Sequence, residues 1–432
     1  MVECIEDFRN YCNKPPVSYS QPGSVKAIGT FWVGRDVSLL WVGQVVTQAG
    51  DSVYQIAILW LMLQMTGSPA LTGIAGMVAY LPTLLFGLPA GVISDRFDRR
   101  RVMIASDGVR AVLVLLLPAL FFLGWLTPLW LICITFLVSL FGTVFAPARD
   151  SLTPDIAPRG KLELANGLIQ TSWQLAMFIG PALAGLLIPL IGIIHLFEFD
   201  SATFVFSMLC VFMITSAAGR HARTSGPGGG GAAVRSVRDG IAFVTRERRI
   251  GILLLVTALY NFFLMGVPII ATPVFVREVL DNRPETYAWL QATYAAGMVV
   301  GAPLAVFLSK RVRKGSLLLA GIILDGMTFC PLFFATTKTQ AMALMLFHSI
   351  FVPLILVPRT TLVQRIVDRA MWGRVFSMMA VAVTGATSLS SAVVGLACGR
   401  FDVRWVILVF GCLSAAVGAA GFFIRDLRRA DA

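Results

Sequence analysis

Charge is what this chain has least of. Lys, Arg, Asp and Glu make up only 13% of its 432 residues, about half the roughly 25% common in soluble domains. A surface that poor in charge is not built to face water. Histidine is nearly absent: His195, His221 and His348 are the only three, too scattered to form a metal cluster. The seven cysteines (Cys4, Cys12, Cys133, Cys210, Cys330, Cys398 and Cys412) include no CxxC pair. Most lie inside apolar runs and read as small buried hydrophobes, not as a disulfide frame or metal ligands. No GxxxxGK[ST] phosphate loop is present, and no nucleophile–base motif stands out. No cofactor or metal is therefore expected, and the chain is not read as an enzyme. The first residues carry Glu3, Glu6, Asp7, Pro15 and Pro16. They lack the basic start and short apolar core of a signal peptide.

What the chain has is long apolar runs. Some 57% of its residues are hydrophobic, and stretches near the ~20 residues needed to cross a bilayer recur throughout. Twelve spans are expected. The first six lie near 38–64, 71–94, 102–124, 128–148, 163–190 and 195–218. The second six lie near 250–276, 286–309, 315–335, 340–358, 373–398 and 403–424. The fold class is thus an all-α polytopic membrane protein. Its expected organisation is a polar tail (1–34), a six-helix bundle (35–218), a linker (219–249), a second six-helix bundle (250–425) and a short tail (426–432).

The formal net charge of +12 would suggest nucleic acid in a soluble protein. Here the cations alternate by loop. The connectors after spans 2, 4, 6, 8 and 10 hold nearly all of them, including Arg96 to Arg101, Arg159, Lys161, Lys310, Arg311, Arg313, Lys314 and Arg365. The connectors after spans 1 and 3 have none. Positive loops stay inside, so both termini are expected in the cytoplasm of a multi-pass protein of the cell (inner) membrane, with lipid and not nucleic acid as partner. The linker "SGPGGGG" is flexible by composition. After it, Val237, Ile241, Phe243 and Val244 alternate with Arg235, Arg238, Arg246, Arg248 and Arg249, as in a helix lying on an anionic leaflet.

The halves echo each other. "FAPARDSLTPDIAPRGKLELANGL" follows span 4 and "LVPRTTLVQRIVDRAMWGRVFSM" follows span 10. Each has a proline at the span end, Pro147 or Pro358, then an arginine. "AVFLSKRVRKG" is the second-half counterpart of the loop after span 2, with Ser309 in the place of Asp95. Two related six-span halves point to a transporter with its site at the midplane between them.

The loop "GVISDRFDRRRV" fits the pattern GxxxDRxxRR, through Gly91, Asp95, Arg96, Arg99 and Arg100. It resembles the signature loop of the major facilitator superfamily, with Asp98 where a glycine is usual. "LLWVGQVVTQAGDSVYQIAILWLMLQMTGS", "SDGVRA", "PAR…ANGL" and "GRVFSM" resemble the branch that holds macrolide-efflux proteins and the enterobactin exporter. "GPALAG" (Gly180 to Gly185) partly matches an exporter motif. The resemblance covers residues 35–425 and implies two rocking six-helix bundles around a central cavity. Spans 1, 4, 7 and 10 would line the cavity, with 3, 6, 9 and 12 outside. It also implies a cytoplasmic latch. Asp95 would meet the start of span 11 near Gly373 and Arg374, and Arg99 or Arg100 would meet an acid at the end of span 4, for which Asp150 is the candidate.

An ionisable residue at membrane depth costs roughly 2.5–3.5 kcal/mol, so each needs a reason. Gln44, Gln48, Asp51 and Gln55 follow steps of 4, 3 and 4 residues and make one polar helical face. Asp51 is the candidate for proton coupling or for a cationic substrate. Asp107 and Arg110 are one turn apart and can pair. Asp325 sits mid-span and His348 on a cavity span, where histidine could titrate. Tyr54, Trp173, Tyr260, Asn261, Phe262 and Tyr294 are candidate cavity linings. Glu198 and Asp200 read as anchors at the outer interface. The expected activity is proton-coupled export of an amphipathic small molecule such as a drug, macrolide-like compound or siderophore. The alternatives are a lipid or lysophospholipid flippase or an importer of the same fold, with a membrane-embedded enzyme third. The oligomeric state is open, a monomer being the simplest reading.

Overall fold

The computed structural model describes residues 33–430 except 159, 216–243, 245, 369 and 370; the side chains of Leu88, Val92 and Asp95 are also outside it. The linker's glycine run and the first part of the expected surface helix fall among the excluded residues. Twelve long helices follow in order. In the first half they are α1 (Arg35–Thr66), α2 (Pro69–Arg96), α3 (Arg99–Phe122), α4 (Pro128–Ile156), α5 (Leu162–Ile191) and α6 (His195–Phe212). In the second half they are α7 (Arg248–Glu278), α8 (Pro284–Arg311), α9 (Lys314–Phe334), α10 (Lys338–Ile366), α11 (Trp372–Cys398) and α12 (Val403–Phe423). Eleven of these are apolar and long enough to cross a membrane. The exception is α1, whose glutamines and Asp51 dilute its apolar content over 32 residues. It takes the place of the first expected span.

Local chemistry sets the ends. Gly67 (φ 64°) closes α1 in the left-handed region that glycine tolerates. Ser68 then caps α2, its hydroxyl accepting from the Leu71 amide. Asp98 caps α3 by accepting from the Arg101 amide at 2.9 Å. That role explains an acid where the related loops carry glycine. Thr337 and Gln340 form a reciprocal capping box at the start of α10. Two helices are interrupted. Around Pro268 and just ahead of Pro273, which lack amide hydrogens, α7 widens into a π turn over Val267–Ala271. Three turn residues, Ile350 to Val352, break α10 between Ser349 and Pro353.

The outer surface is apolar. Val112, Leu115 and Phe122 on α3, Leu209 and Phe212 on α6, and Val409 and Phe423 on α12 stand exposed, as lipid requires. Cys133 and Cys412 join them. The burial expected of the cysteines holds for Cys210 and Cys398 but not for these two.

The two halves meet along α2 with α11 and α5 with α8. Their apolar cores show which end is closed. One shared core joins Val53 to Leu63 of α1 with Val267, Ile270, Val274, Phe275, Tyr287 and Leu290 of the second half. It lies at the end away from the basic loops. Trp60 stacks on Tyr287 there, with 6.4 Å between ring centroids, and Arg277 donates to the Leu63 carbonyl at 2.7 Å. The basic end is different. One core there belongs to the first half alone, around Val37, Leu40, Leu152 and Ile169. Another belongs to the second half alone, around Leu253, Ile322, Leu362 and Met379. Thr83 to Gly87, more than a full turn of α2, are exposed on every side. A side chain added at Gly91 or Gly373 would meet nothing within 4 Å. The molecule is closed at its far end and splayed at its basic end.

Candidate transport site and coupling groups

The polar face of α1 turns inward. Gln44 is buried, and its carbonyl oxygen accepts from Gln48 and from Arg149 of α4, both at 3.2 Å. Gln48 accepts in turn from the Ser172 hydroxyl of α5 at 3.1 Å. Gln55 donates to the Tyr80 hydroxyl of α2 at 3.1 Å. A cavity of about 320 Å³ opens beside this face, lined by Gln48, Arg149, Asp150, Asn166, Gln170 and Trp173 among others. Amides, one guanidinium and an exposed indole suit a ligand with an apolar body and a few polar groups.

Asp51 does not stand alone on that face. Arg110 of α3 donates to its Oδ1 at 2.5 Å. The expected Asp107–Arg110 pair is present but longer, at 3.8 Å. Both oxygens of Asp107 are buried without a hydrogen-bond partner. Arg110 also lies over the Phe204 ring of α6, 4.0 Å from its centroid. A third acid completes the group. Asp200 is fully buried, not at the interface as its sequence position suggested. A Cβ added at Gly50, one residue before Asp51, would run into it, so only glycine there lets α6 approach α1 so closely. One guanidinium thus pairs with Asp51 of α1 and Asp107 of α3, and Asp200 of α6 is buried beside them against Gly50. Of the four, only Asp51 is substantially open, at 37% side-chain exposure. Glu198 does lie at the surface, bonded to His195 at 3.1 Å.

A second polar cluster lies in the other half. Tyr260 of α7 donates to Asp325 of α9 at 2.8 Å, and His348 of α10 lies 3.6 Å from the same carboxylate. Tyr294 of α8 and Phe329 flank the imidazole. Asn261, the other candidate from this stretch, turns back to the Thr257 carbonyl at 2.8 Å. Of the remaining aromatic candidates, Tyr54 is buried against Thr135 and Phe262 packs on Phe263. Trp173 alone borders the cavity.

At the basic end, Arg99 does meet an acid of α4, but the acid is Asp155, at 2.5 Å, and not Asp150. The helix runs on to Ile156, so the end-of-helix acid is five residues later than expected. Asp150 pairs instead with its neighbour Arg149 at 2.8 Å. Arg100 donates to the Val211 carbonyl at 3.0 Å and to that of Phe212, capping the end of α6. Arg96 closes α2 on an exposed face. The expected contact of Asp95 with the Gly373–Arg374 region lies outside the described side chains.

Twelve spans, a splayed basic end and buried polar groups in each half fit one class of known protein. The sequence profile of the transmembrane secretion effector family matches residues 35–432. The chain belongs to that family. It is a major facilitator transporter, not an enzyme. Relatives of this secretion effector include macrolide efflux protein A of Streptococcus pyogenes, 24% identical over 91% of this chain and 96% of the relative. The multidrug efflux pump Tap of Mycobacterium tuberculosis is 30% identical over 65% of this chain and 68% of the pump. Among solved structures, a POT peptide transporter superposes with a TM-score of 0.74 at 11% identity, covering 93% of this chain and 97% of that one. A D-xylose–proton symporter gives 0.70 at 12% identity, covering 90% and 97%. At such identities the two structures speak for the fold alone.

Proposed function

We propose that this transporter exports an amphipathic small molecule in exchange for protons, with its basic end in the cytoplasm of the cell membrane. The positive-inside bias of the loops supports the orientation. It makes the splayed arrangement inward-open, ready to take substrate from the cytoplasm or inner leaflet. The named efflux activities of the relatives support the direction. The cavity lining of amides, an indole and the Arg149–Asp150 pair supports the substrate class.

The observation that carries proton coupling is the arginine with three acids. Arg110 can neutralise one carboxylate; the charge of the group then depends on how many protons the others hold. Asp51, the open member, exchanges its proton with the cavity and trades Arg110 for that proton. Breaking a buried ion pair shifts a two-state equilibrium by a few kcal/mol, enough to bias rocking without freezing it. The test is efflux from proteoliposomes of a macrolide and a cationic dye, with and without an imposed pH gradient. Asp51→Asn should abolish the gradient-driven component while leaving substrate binding within about threefold. Unchanged gradient-driven transport in Asp51→Asn would sink the assignment.

A further inference from the structure

The hydrogens of the second-half cluster can be assigned one by one, and they leave a gap. The Tyr260 hydroxyl donates to Asp325 Oδ2 at 2.8 Å. Thr328 has a single hydroxyl hydrogen, and its shortest contact is the Leu324 carbonyl at 2.6 Å. A carbonyl only accepts, so the hydrogen goes there. Thr328 Oγ1 is then an acceptor toward His348 Nδ1, 3.2 Å away, and Nδ1 carries the imidazole hydrogen. A neutral imidazole with its hydrogen on Nδ1 has a bare lone pair on Nε2. That lone pair faces Asp325 Oδ1 at 3.6 Å, and Oδ1 is buried with no hydrogen-bond partner. Two acceptors confront each other in a site where Asp325 is 0% and His348 1% exposed.

Buried acceptors of this kind are uncommon because each forgoes a hydrogen bond that water would supply. A single proton settles both at once. We propose that the second half holds its own proton-binding position, between His348 Nε2 and Asp325 Oδ1. On either atom the proton converts the facing lone pairs into one hydrogen bond and draws α9 toward α10. The titratable groups around it are Tyr260 from α7 and Tyr294 from α8, with Arg359 of α10 acting on Tyr260. Among the described residues no lysine or arginine forms an ion pair with Asp325, so no fixed cation takes the proton's place. The site goes beyond the export reading, which places its proton on α1.

The scarcity of histidine makes the test direct. In a His195→Gln/His221→Gln background, His348 is the only histidine left. The full chain, ¹⁵N-labelled at histidine and held in lipid nanodiscs, is followed by NMR from about pH 9 to about pH 5, a range that brackets histidine titration. The expected result is an Nδ1–H imidazole at alkaline pH, whose Nε2 resonance shifts in one step on acidification. In Asp325→Asn the carboxamide donates a hydrogen bond to Nε2 but gives up no proton, and no carboxylate is left to share one, so the resonance should stay near its alkaline, lone-pair position across the range. An Nε2 signal that never moves in the background chain overturns the site, whether or not Asp325→Asn folds. A titration that survives in Asp325→Asn also overturns it. Asp51→Asn leaves this signal in place, so failure of the export reading and failure of this one are told apart.

Discussion

Arg110 is the residue on which most of the buried charge in the first half depends. It answers Asp51 and Asp107 and covers Phe204. Removing one partner of a buried ion pair costs about 3–5 kcal/mol, because the other charges are left without compensation. Arg110→Ala should therefore lower the thermal midpoint of the detergent-solubilised protein sharply. Arg110→Lys should recover only part of that loss, since a lysine cannot stack its head on Phe204 or fork toward two acids. Asp107→Asn should cost least, because Asp107 lies at 3.8 Å from the cation. The members of this group were unequally legible in the sequence. A three-residue spacing advertises Asp107–Arg110. The link from Arg110 to Asp51 spans 59 positions, and no local pattern carries it. Asp325 and His348 each stood out as a polar residue in an apolar span, yet nothing in the sequence said they face each other.

At the scale of the helix, period and caps were readable and depth was not. The polar stripe of α1 follows from its 4-3-4 spacing, and its four members do turn to polar partners. Asp200 was misplaced because α6 has only 18 residues. An acid five residues in is already a turn and a half along the helix and packs against α1. The glycines that set helix crossings behave similarly, since their partners are remote. Gly73 of α2 meets Gly395 of α11 at the closed end. A Cβ on Gly73 would lie 2.6 Å from the Ser391 carbonyl oxygen and 2.8 Å from the Gly395 Cα. Both are backbone atoms that cannot step aside. Gly73→Leu should therefore wedge the far end apart and favour the form open at that end. The check is a spin-label distance between α2 and α11 at that end, which should lengthen relative to wild type. An unchanged distance would mean that the crossing does not govern closure.

At the scale of the molecule, the two end-specific cores and the single shared one define a direction of opening. A membrane-impermeant thiol reagent should label Trp173→Cys readily from the basic side. Ser391→Cys, buried at the α2–α11 seam, should resist labelling from either side until transport conditions open the far end. Equal labelling of both would contradict an arrangement open at the basic end. The count of twelve spans and the split into halves came straight from hydropathy and loop charge, because lipid leaves the chain few alternatives to apolar helices. Which end closes did not, because closure rests on contacts between helices some two hundred residues apart.

The shared core at the far end also constrains biogenesis. Val53 to Leu63 of α1 are buried by residues of α7 and α8, which leave the ribosome long after α1 has entered the membrane. Until then the first half stands in the bilayer with Trp60 lacking Tyr287 and the α1 terminus lacking Arg277. Synthesis of this transporter therefore passes through a half-built stage whose far end is finished only by its second half. That interval is where a membrane chaperone would help it and a quality-control protease would find it.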